Sequence, residues 1–323
     1  MNKTNLKLFL VFLLLFSLLS NQNFLKAETK PLSLWHDTEI KKEITEFVTD
    51  VSDAKSEDYV PVEKRHAVFD LDGTLLCEKP MYALGLISIA YLQEAAKLDT
   101  TLRTKQPYKA ALEKDMKYLW HHPDQFMAYP FRQHSQNDYR NWVLNYLKTH
   151  EHPQFNLRYI DTFFAPMLEL IDFLHEHKFE VWICSGSAQG FIRSFSENYL
   201  NIPSKNVIGS QIELEFVKND SGVEFIRKDK FSWNNNDNAK PVKIQRQTGI
   251  KPIFAFGNSM GDFAMLQLVD SNNLPHNVFV LNHNDPAREY EYYHEKLLDE
   301  CKKHGWSVVN MKENFIKIFI KKE

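Results

Sequence analysis

The chain has 323 residues, of which 43% are hydrophobic and 25% charged, and its formal net charge is −3 at pH 7. This composition is typical of globular proteins and excludes the disordered and fibrous classes. A mildly acidic chain without a basic stripe is not suited to follow a nucleic-acid backbone, so we expect no nucleic-acid partner.

The first 27 residues have the pattern of a secretory signal peptide. Lys3 and Lys7 precede an apolar run over residues 8–19, and a polar stretch follows. The apolar run is shorter than the roughly 20 residues of a membrane span. The cleavage site is imperfect because Leu25 stands where a smaller side chain is usual. We expect a secreted or periplasmic protein after removal of residues 1–27, with a membrane-anchored protein as the alternative.

The first predicted elements after this segment are a helix and a strand. Apolar residues recur at helical spacing from Ile40 to Val51. The apolar run His66–Phe69 predicts a short strand that stops at the polar, glycine-containing stretch Asp70–Thr74. Residues 28–80 therefore predict the first part of an α/β core.

Residues 81–162 have a different pattern. Helical periodicity dominates, strand candidates are absent, and aromatic residues such as Tyr91, Trp120 and Phe126 are dense. We interpret this range as an inserted all-helical unit.

Strand and helix patterns alternate again over residues 163–323, which we assign to the same core. We expect helices over Pro166–Lys178, Gln189–Tyr199, Lys240–Gly249 and Phe263–Val269; strands over Glu180–Cys184, Pro252–Phe256 and Asn277–Leu281; and a hairpin around Asn219–Gly222. Such alternation predicts an α/β fold with a Rossmann-like, doubly wound and mostly parallel sheet. Ligands of these sheets bind beyond the carboxyl ends of the strands.

Asp70 and Asp72 are the strongest candidates for catalysis. Two carboxylates one residue apart at a strand end can divide the work, because Asp70 can attack phosphorus while Asp72 moves a proton to or from the leaving group. Thr74 can donate a hydrogen bond to phosphate. Asp-Gly is also a common turn sequence, so this motif alone leaves an ordinary turn open.

Further candidates for binding phosphate follow later strands. Ser185 and Gly186 follow the predicted strand Glu180–Cys184, and a small hydroxyl followed by a helix N-terminus suits an anionic oxygen. Lys240 begins a predicted helix, which is electrostatically unfavourable unless its ammonium balances a negative site. Lys243 competes for this role, and a solvated lysine is the ordinary alternative.

Residues Gly257–Asp262 offer oxygen ligands for Mg²⁺. Asn258 supplies an amide oxygen and Asp262 a carboxylate at the next strand end. With Asp70 and Asp72, they make up our predicted metal set. A turn before a helix, with Asp262 in the first helical turn, is the simpler explanation of the same residues.

Together these segments resemble the haloacid dehalogenase superfamily of phosphohydrolases. Asp70–Thr74 is similar to the first family motif, Ser185 to the second, Lys240 to the third and Gly257–Asp262 to the fourth. The resemblance implies that Asp70 is the nucleophile, that Asp72 is the general acid and base, and that Mg²⁺ is the cofactor. It also implies that residues 81–162 form a cap like that of phosphoserine and phosphorylcholine phosphatases.

The position of Asn258 departs from the family pattern, which usually has an acid there. A weaker metal site, or a larger share of the coordination by Asp262, is then expected. Glu78 lies close after the first motif and is our candidate for contact with a cationic group of the substrate. The aromatic residues of the insertion either form a cage for a quaternary amine or, more simply, pack as its core.

The predicted function is hydrolysis of a small phosphorylated metabolite through an aspartyl phosphate. A phosphotransferase or phosphomutase would use the same core residues, and the loss of an acid at Asn258 favours a catalytically weak phospho-ligand-binding protein. A membrane partner is expected only if residues 1–27 remain. A disulfide between Cys77 and Cys184 is left open, with buried free thiols as the simpler expectation.

Overall fold

A computed structural model describes residues 31–220 and 222–320 of the chain. The predicted signal peptide therefore lies outside the described residues. Within them, a seven-stranded sheet has the order β4-β3-β2-β1-β5-β6-β7. The strands are β1 His66–Phe69, β2 Glu180–Ala188, β3 Val207–Asn219, β4 Gly222–Trp233, β5 Phe254–Gly257, β6 Asn277–Asn282 and β7 Ser307–Asn310.

All neighbouring strands of the sheet are parallel except β3 and β4. The central strand β1 is buried along its whole length and pairs with β2 on one side and β5 on the other. A strand that is buried on both faces explains the continuous apolar run at His66–Phe69. The predicted α/β, Rossmann-like fold with a mostly parallel sheet is thus confirmed.

Helices precede the first strand, connect later strands, fill much of the range 81–162 and follow the last strand. They are α1 Glu39–Asp50, α2 Ala83–Leu98, α3 Tyr108–Glu113, α4 Met116–His121, α5 Gln136–Thr149, α6 Ala165–Glu176, α7 Gln189–Arg193, α8 Ser196–Leu200, α9 Ala239–Thr248, α10 Phe263–Asp270, α11 Glu295–His304 and α12 Met311–Asn314. Among the residues that the structure describes, none of these helices is long and apolar enough to cross a membrane.

Two hydrophobic clusters pack on the sheet. The larger includes Phe69, Phe256 and Phe279, whose rings stack in neighbouring strands, and it extends into α5 through Tyr139. The smaller includes Val68, Met265 and Leu297. Alternate residues of β1 therefore face opposite clusters, as the pleat requires.

The structure corrects two expected boundaries. Strand β2 does not stop at Cys184 but continues to Ala188, with a register shift against β3. The expected helix over Gln189–Tyr199 is two short helices, because Ser194 donates its hydroxyl to the carbonyl of Gly190 and the backbone at Phe195 leaves the helical region.

Cys77 and Cys184 do not form a disulfide. Cys77, Cys184 and Cys301 are free and buried. Burial raises the pKa of the Cys184 thiol to about 12, so the group remains protonated at neutral pH. The buried thiols behave as small apolar side chains.

Candidate active site

Asp70 and Asp72 follow the central strand β1. The Asp70 amide donates to the carbonyl of Phe256 at 3.0 Å, so the chain continues beside β5 before it turns. The turn depends on Gly73, which has φ +75° and donates its amide to the carbonyl of Leu76 at 2.7 Å. Both carboxylates are more than nine-tenths buried. The strand end thus fixes two acids in a sheltered position.

Lys240 connects two of the predicted motifs. Its Nζ donates to Asp70 Oδ1 at 2.7 Å and to Asp262 Oδ1 at 2.5 Å. All three side chains are buried. Asp70 lies 170 positions before Lys240 in the chain and Asp262 lies 22 positions after it, so the fold brings distant segments together here. The competitor Lys243 instead donates to Gln211 at 3.1 Å, so Lys240 is the lysine that the fold brings to the site.

Asp262 is held by the turn that follows β5. Its Oδ2 accepts from the amides of Asn258 and Ser259 at 3.0 and 2.9 Å, and Ser259 caps the short turn before α10. A carboxylate that accepts backbone amides at the start of a helix is electrostatically favoured. Asp262 therefore lies in the first helical turn and also reaches the site, so the two explanations of this residue are compatible.

Ser185 and Gly186 lie inside the extended strand β2 rather than beyond its end. Ser185 is buried, and its hydroxyl accepts from the Ser187 amide at 3.0 Å. A Cβ on Gly186 would lie 2.0 Å from Asn236 Oδ1, so a side chain there would displace the loop before α9. Close packing of this loop explains the glycine.

Thr74 and Asn258 are next to the acids but do not line the cavity that the acids share. The Thr74 hydroxyl donates to Asn258 Oδ1 at 3.4 Å, and Asn258 Nδ2 donates to Glu78 Oε1 at 3.4 Å. Both distances are long for hydrogen bonds. The structure therefore places the amide behind the wall of the cavity, where it contacts Glu78.

The remaining predicted residues surround one cavity of about 420 Å³. Asp70, Asp72, Ser185, Lys240 and Asp262 line it. Its other lining residues include Gly186, Glu78, Tyr82, Trp120 and Ser187. Tyr82 and Trp120 pack edge to face with centroids 5.9 Å apart, whereas Phe126 and Tyr139 are fully buried. Most aromatic residues in the range 81–162 pack in hydrophobic clusters, and two line the cavity.

Burial dominates the protonation of the acids. Burial raises the pKa of Asp72 to about 6, opposed by the hydrogen bond from Ser187 Oγ to Asp72 Oδ2 at 2.6 Å. Burial and then repulsion by Asp262 raise the pKa of Asp70, against the attraction of Lys240. An acid with a pKa near 6 can exchange a proton at neutral pH.

The donor set suits a hard divalent cation. Four acids, at positions 70, 72, 78 and 262, face one lysine, so the cavity has a negative excess that a cation would offset. Asp72 Oδ1 is buried and has no hydrogen-bond partner among the described residues. In that part of the chain, no three acidic, histidine or cysteine side chains form a ready cage. Backbone and amide oxygens would have to complete the coordination.

Several residues of the site were not predicted. Ser187 holds Asp72, and Asn235 donates to the Ser185 carbonyl at 3.0 Å. The ring of His283 contacts the Gly73 carbonyl at 2.8 Å and Glu289 Oε2 at 3.0 Å. Both ring nitrogens thus face oxygens, one of a backbone carbonyl and one of the buried Glu289 carboxylate. For these residues, the run of three asparagines at Asn234–Asn236, just before Lys240, was the one signal in the sequence that could have indicated a polar loop at the site.

A family model supports the fold and the order of the motifs. The model described as haloacid dehalogenase-like hydrolase matches residues 67–267. No curated protein matches the chain.

Solved structures show the same fold at low identity. A protein of unknown function from Bordetella pertussis Tohama I is 15% identical with a TM-score of 0.51, and the match covers 76% of this chain and 98% of that one. A functionally unknown protein from Anaerococcus prevotii DSM 20548 is 13% identical with a TM-score of 0.55, covering 87% and 94%.

Proposed function

The chain belongs to the haloacid dehalogenase-like hydrolases, and from this membership we propose that it is a Mg²⁺-dependent phosphatase of a small organic phosphomonoester. The observation that carries the proposal is Lys240, which bridges Asp70 and Asp262 at the base of the 420 Å³ cavity. A buried ammonium between two carboxylates opposes the rise that burial causes in the pKa of Asp70, and it places positive charge where a phosphoryl group would arrive.

In the proposed reaction, an Asp70 carboxylate oxygen attacks phosphorus and the bond from phosphorus to the ester oxygen breaks. Asp72 gives its proton to the departing oxygen, which leaves as an alcohol. Asp72 then takes a proton from water, whose oxygen attacks the aspartyl phosphate. Inorganic phosphate leaves, and Asp70 is free again.

Other residues of the cavity orient the phosphate and the acids. Ser185 lines the cavity together with Lys240, and the Ser187 hydroxyl fixes one oxygen of Asp72. Asp70, Asp72 and Asp262 would hold Mg²⁺, with Asn258 as a neighbouring amide donor. The ion would supply charge that offsets the oxygens of the phosphoryl group.

The substrate class follows from the rest of the lining. Glu78, Tyr82 and Trp120 combine an acid with two aromatic faces, a chemistry that suits a cationic group. Asn258 contacts Glu78 and so supports its position. We extend the proposal to a small phosphorylated metabolite with a positively charged substituent, acted on outside the cytoplasm after removal of residues 1–27.

Phosphate release from p-nitrophenyl phosphate tests the proposal, using protein without residues 1–27. We expect turnover with Mg²⁺, loss of turnover with EDTA, and a loss of about 10³-fold or more in Asp70→Asn and Lys240→Met. Lys243→Met is the matched control and should keep activity, because that lysine contacts Gln211 instead.

The same assay separates the alternatives. Transfer of phosphate to added alcohols or sugars, rather than to water, would make the chain a phosphotransferase. Phosphate-ester binding without turnover, in protein saturated with Mg²⁺, would contradict the enzyme and support a binding protein with Asn258 as the reason. A panel of phosphomonoesters with and without a cationic group then identifies the substrate class.

A further inference from the structure

A second cavity lies on the other side of the β3–β4 hairpin from the active site. It has a volume of about 610 Å³ and is bounded by α5, α7 and the two strands of the hairpin. Residues of α5 and α7 in its lining include Gln136, Arg140, Gly190 and Arg193. Arg227 of β4 also lines it, and so does Leu214, its partner across the hairpin.

The two cavities are distinct although they are close. Ser210 of β3 lines the active-site cavity, whereas the next residue, Gln211, lines the second one. In β4, Phe231 lines the active-site cavity and Ser232 lines the second one. Since successive residues of a strand point to opposite faces, the base of the hairpin separates the two spaces.

Arg227 is the unusual residue of this cavity. Its side chain is 1% exposed, and its Nε and Nη2 are buried without a hydrogen-bond partner among the described residues. The guanidinium carbon lies 3.8 Å from the centroid of the Tyr139 ring. A buried charge without an opposite partner is costly, so a protein rarely keeps one without a reason.

The surroundings keep the guanidinium in place. A Cβ on Gly190 would lie 3.3 Å from Arg227 Nη1 and 3.5 Å from Tyr139 Cε1, so the glycine leaves room for the stacked pair. The backbone amide of Arg227 donates to the carbonyl of His134 at 2.9 Å, and its carbonyl accepts from the Gln133 amide at 2.8 Å. The fold therefore orients this cation rather than leaving it to snorkel into solvent.

The charge of the cavity is positive. Arg140, Arg193 and Arg227 line it, and no acidic residue does so in the described part of the chain. Arg193 Nε donates to the Ser204 carbonyl at 2.9 Å, and Arg140 has Glu197 as an electrostatic neighbour. Burial lowers the pKa of both Arg193 and Arg227, with no carboxylate to counter it.

We propose that this second cavity binds a small organic anion whose carboxylate or phosphate group pairs with Arg227 and Arg193. The planar guanidinium fork matches either oxyanion. Leu214 and Phe225 of the hairpin give the cavity an apolar side for the carbon portion of the ligand. Binding here does not require the active-site residues Asp70 and Lys240.

Calorimetric titration of the protein without residues 1–27 tests the proposal. The probes are benzoate and phenylphosphonate, which carry the two oxyanions on one ring, with benzyl alcohol as the neutral control. We expect at least one anion to bind and the alcohol not to bind. Lys240→Met should leave this binding unchanged, which separates it from occupancy of the active site.

Variants identify the site. Arg227→Met should weaken the anion at least about tenfold, as expected for the loss of a charge-assisted pair, and Arg193→Met should weaken it too. Arg132→Met is the control, because Arg132 also stacks on a tyrosine, at 3.6 Å from the Tyr129 ring, but lies outside the cavity.

The melting temperature distinguishes a ligand role from a structural one. A methionine removes the uncompensated charge and keeps much of the packing, so unliganded Arg227→Met should melt at or above the wild-type temperature. Full affinity in both Arg227→Met and Arg193→Met would overturn the proposal. Failure of both anions to bind wild-type protein, or equal binding of benzyl alcohol, would overturn it as well.

Discussion

At the scale of single residues, the site depends on a backbone conformation that glycine adopts easily. Gly73 has φ +75°, and a Cβ there would lie 2.0 Å from Asn258 Nδ2. Two costs therefore coincide at this position: left-handed backbone strain of about 1–2 kcal/mol and a steric collision. The turn that carries Asp70 and Asp72 is possible because neither cost arises with glycine.

We predict that Gly73→Ala strongly reduces both melting temperature and phosphate release. Gly305→Ala is the matched control, since Gly305 has φ +72° but no atom within 4 Å of an added Cβ. The control should show the strain alone and keep activity. Equal loss of stability in both variants would mean that the contact with Asn258 is unimportant.

Also at this scale, single polar contacts distinguish Lys240 from Lys243 and bring Ser187 to the site. Lys240 reaches Asp70 and Asp262, and Ser187 reaches Asp72. A displacement of about 1 Å would lengthen these contacts beyond hydrogen-bonding distance. The chemistry is therefore sensitive to residues that never contact the substrate, such as Asn235.

At the scale of elements, helix α5 links the second cavity to the hydrophobic core. It begins at Ser135, whose hydroxyl accepts from the Asp138 amide at 3.0 Å and donates to the Asp138 carboxylate at 2.8 Å. The helix carries Tyr139, which supports Arg227, and Arg140. Its N-terminal cap thus orients part of the second cavity.

We predict that Ser135→Ala destabilises the protein by about 1 kcal/mol, the usual cost of a lost N-cap. Thr149→Ala, at the exposed end of the same helix, should change stability by less than about 0.5 kcal/mol. Urea unfolding followed by circular dichroism measures both. A larger effect for Thr149→Ala than for Ser135→Ala would contradict the role of the cap.

At the scale of the whole molecule, buried histidines connect folding to pH. Burial lowers the pKa of His66 below 6.5, and the attraction of Glu180 Oε2 at 3.5 Å opposes this only in part. Burial is also the first cause of lowered pKa values for His152, His175 and His294. The unfolded chain therefore binds protons before the folded one as pH falls.

These histidines contribute stability that is present above pH 6.5 and is lost as the pH falls through 6.5 towards their folded pKa values. Over the same range, the raised pKa of Asp72 acts in the opposite direction. We therefore predict a difference between variants: from pH 7 to 5, His66→Gln should lose less free energy of unfolding than the wild type, and Glu180→Gln should lose more, because the attraction that opposes burial is removed. An unchanged slope in both variants would exclude His66 as a source.

The sequence by itself determined the strand–helix alternation, the mostly parallel sheet and the clustering of polar residues after β1 and β5. These features depend on residue periodicity and on side chains a few positions apart, as in Asp70–Asp72 and Asn258–Asp262. Local pattern also predicted Lys240 as a candidate, but could not choose between it and Lys243.

The tertiary structure alone decided contacts between distant segments. It selected Lys240, extended β2 so that Ser187 meets Asp72, paired His283 with Glu289 below Gly73, and enclosed Arg227 against Tyr139. These contacts join residues whose spacing has no periodicity, and they depend on strand register and on which helix covers which face of the sheet. A one-residue change in the register of β2 or β4 would turn Ser187 or Arg227 away from its partner.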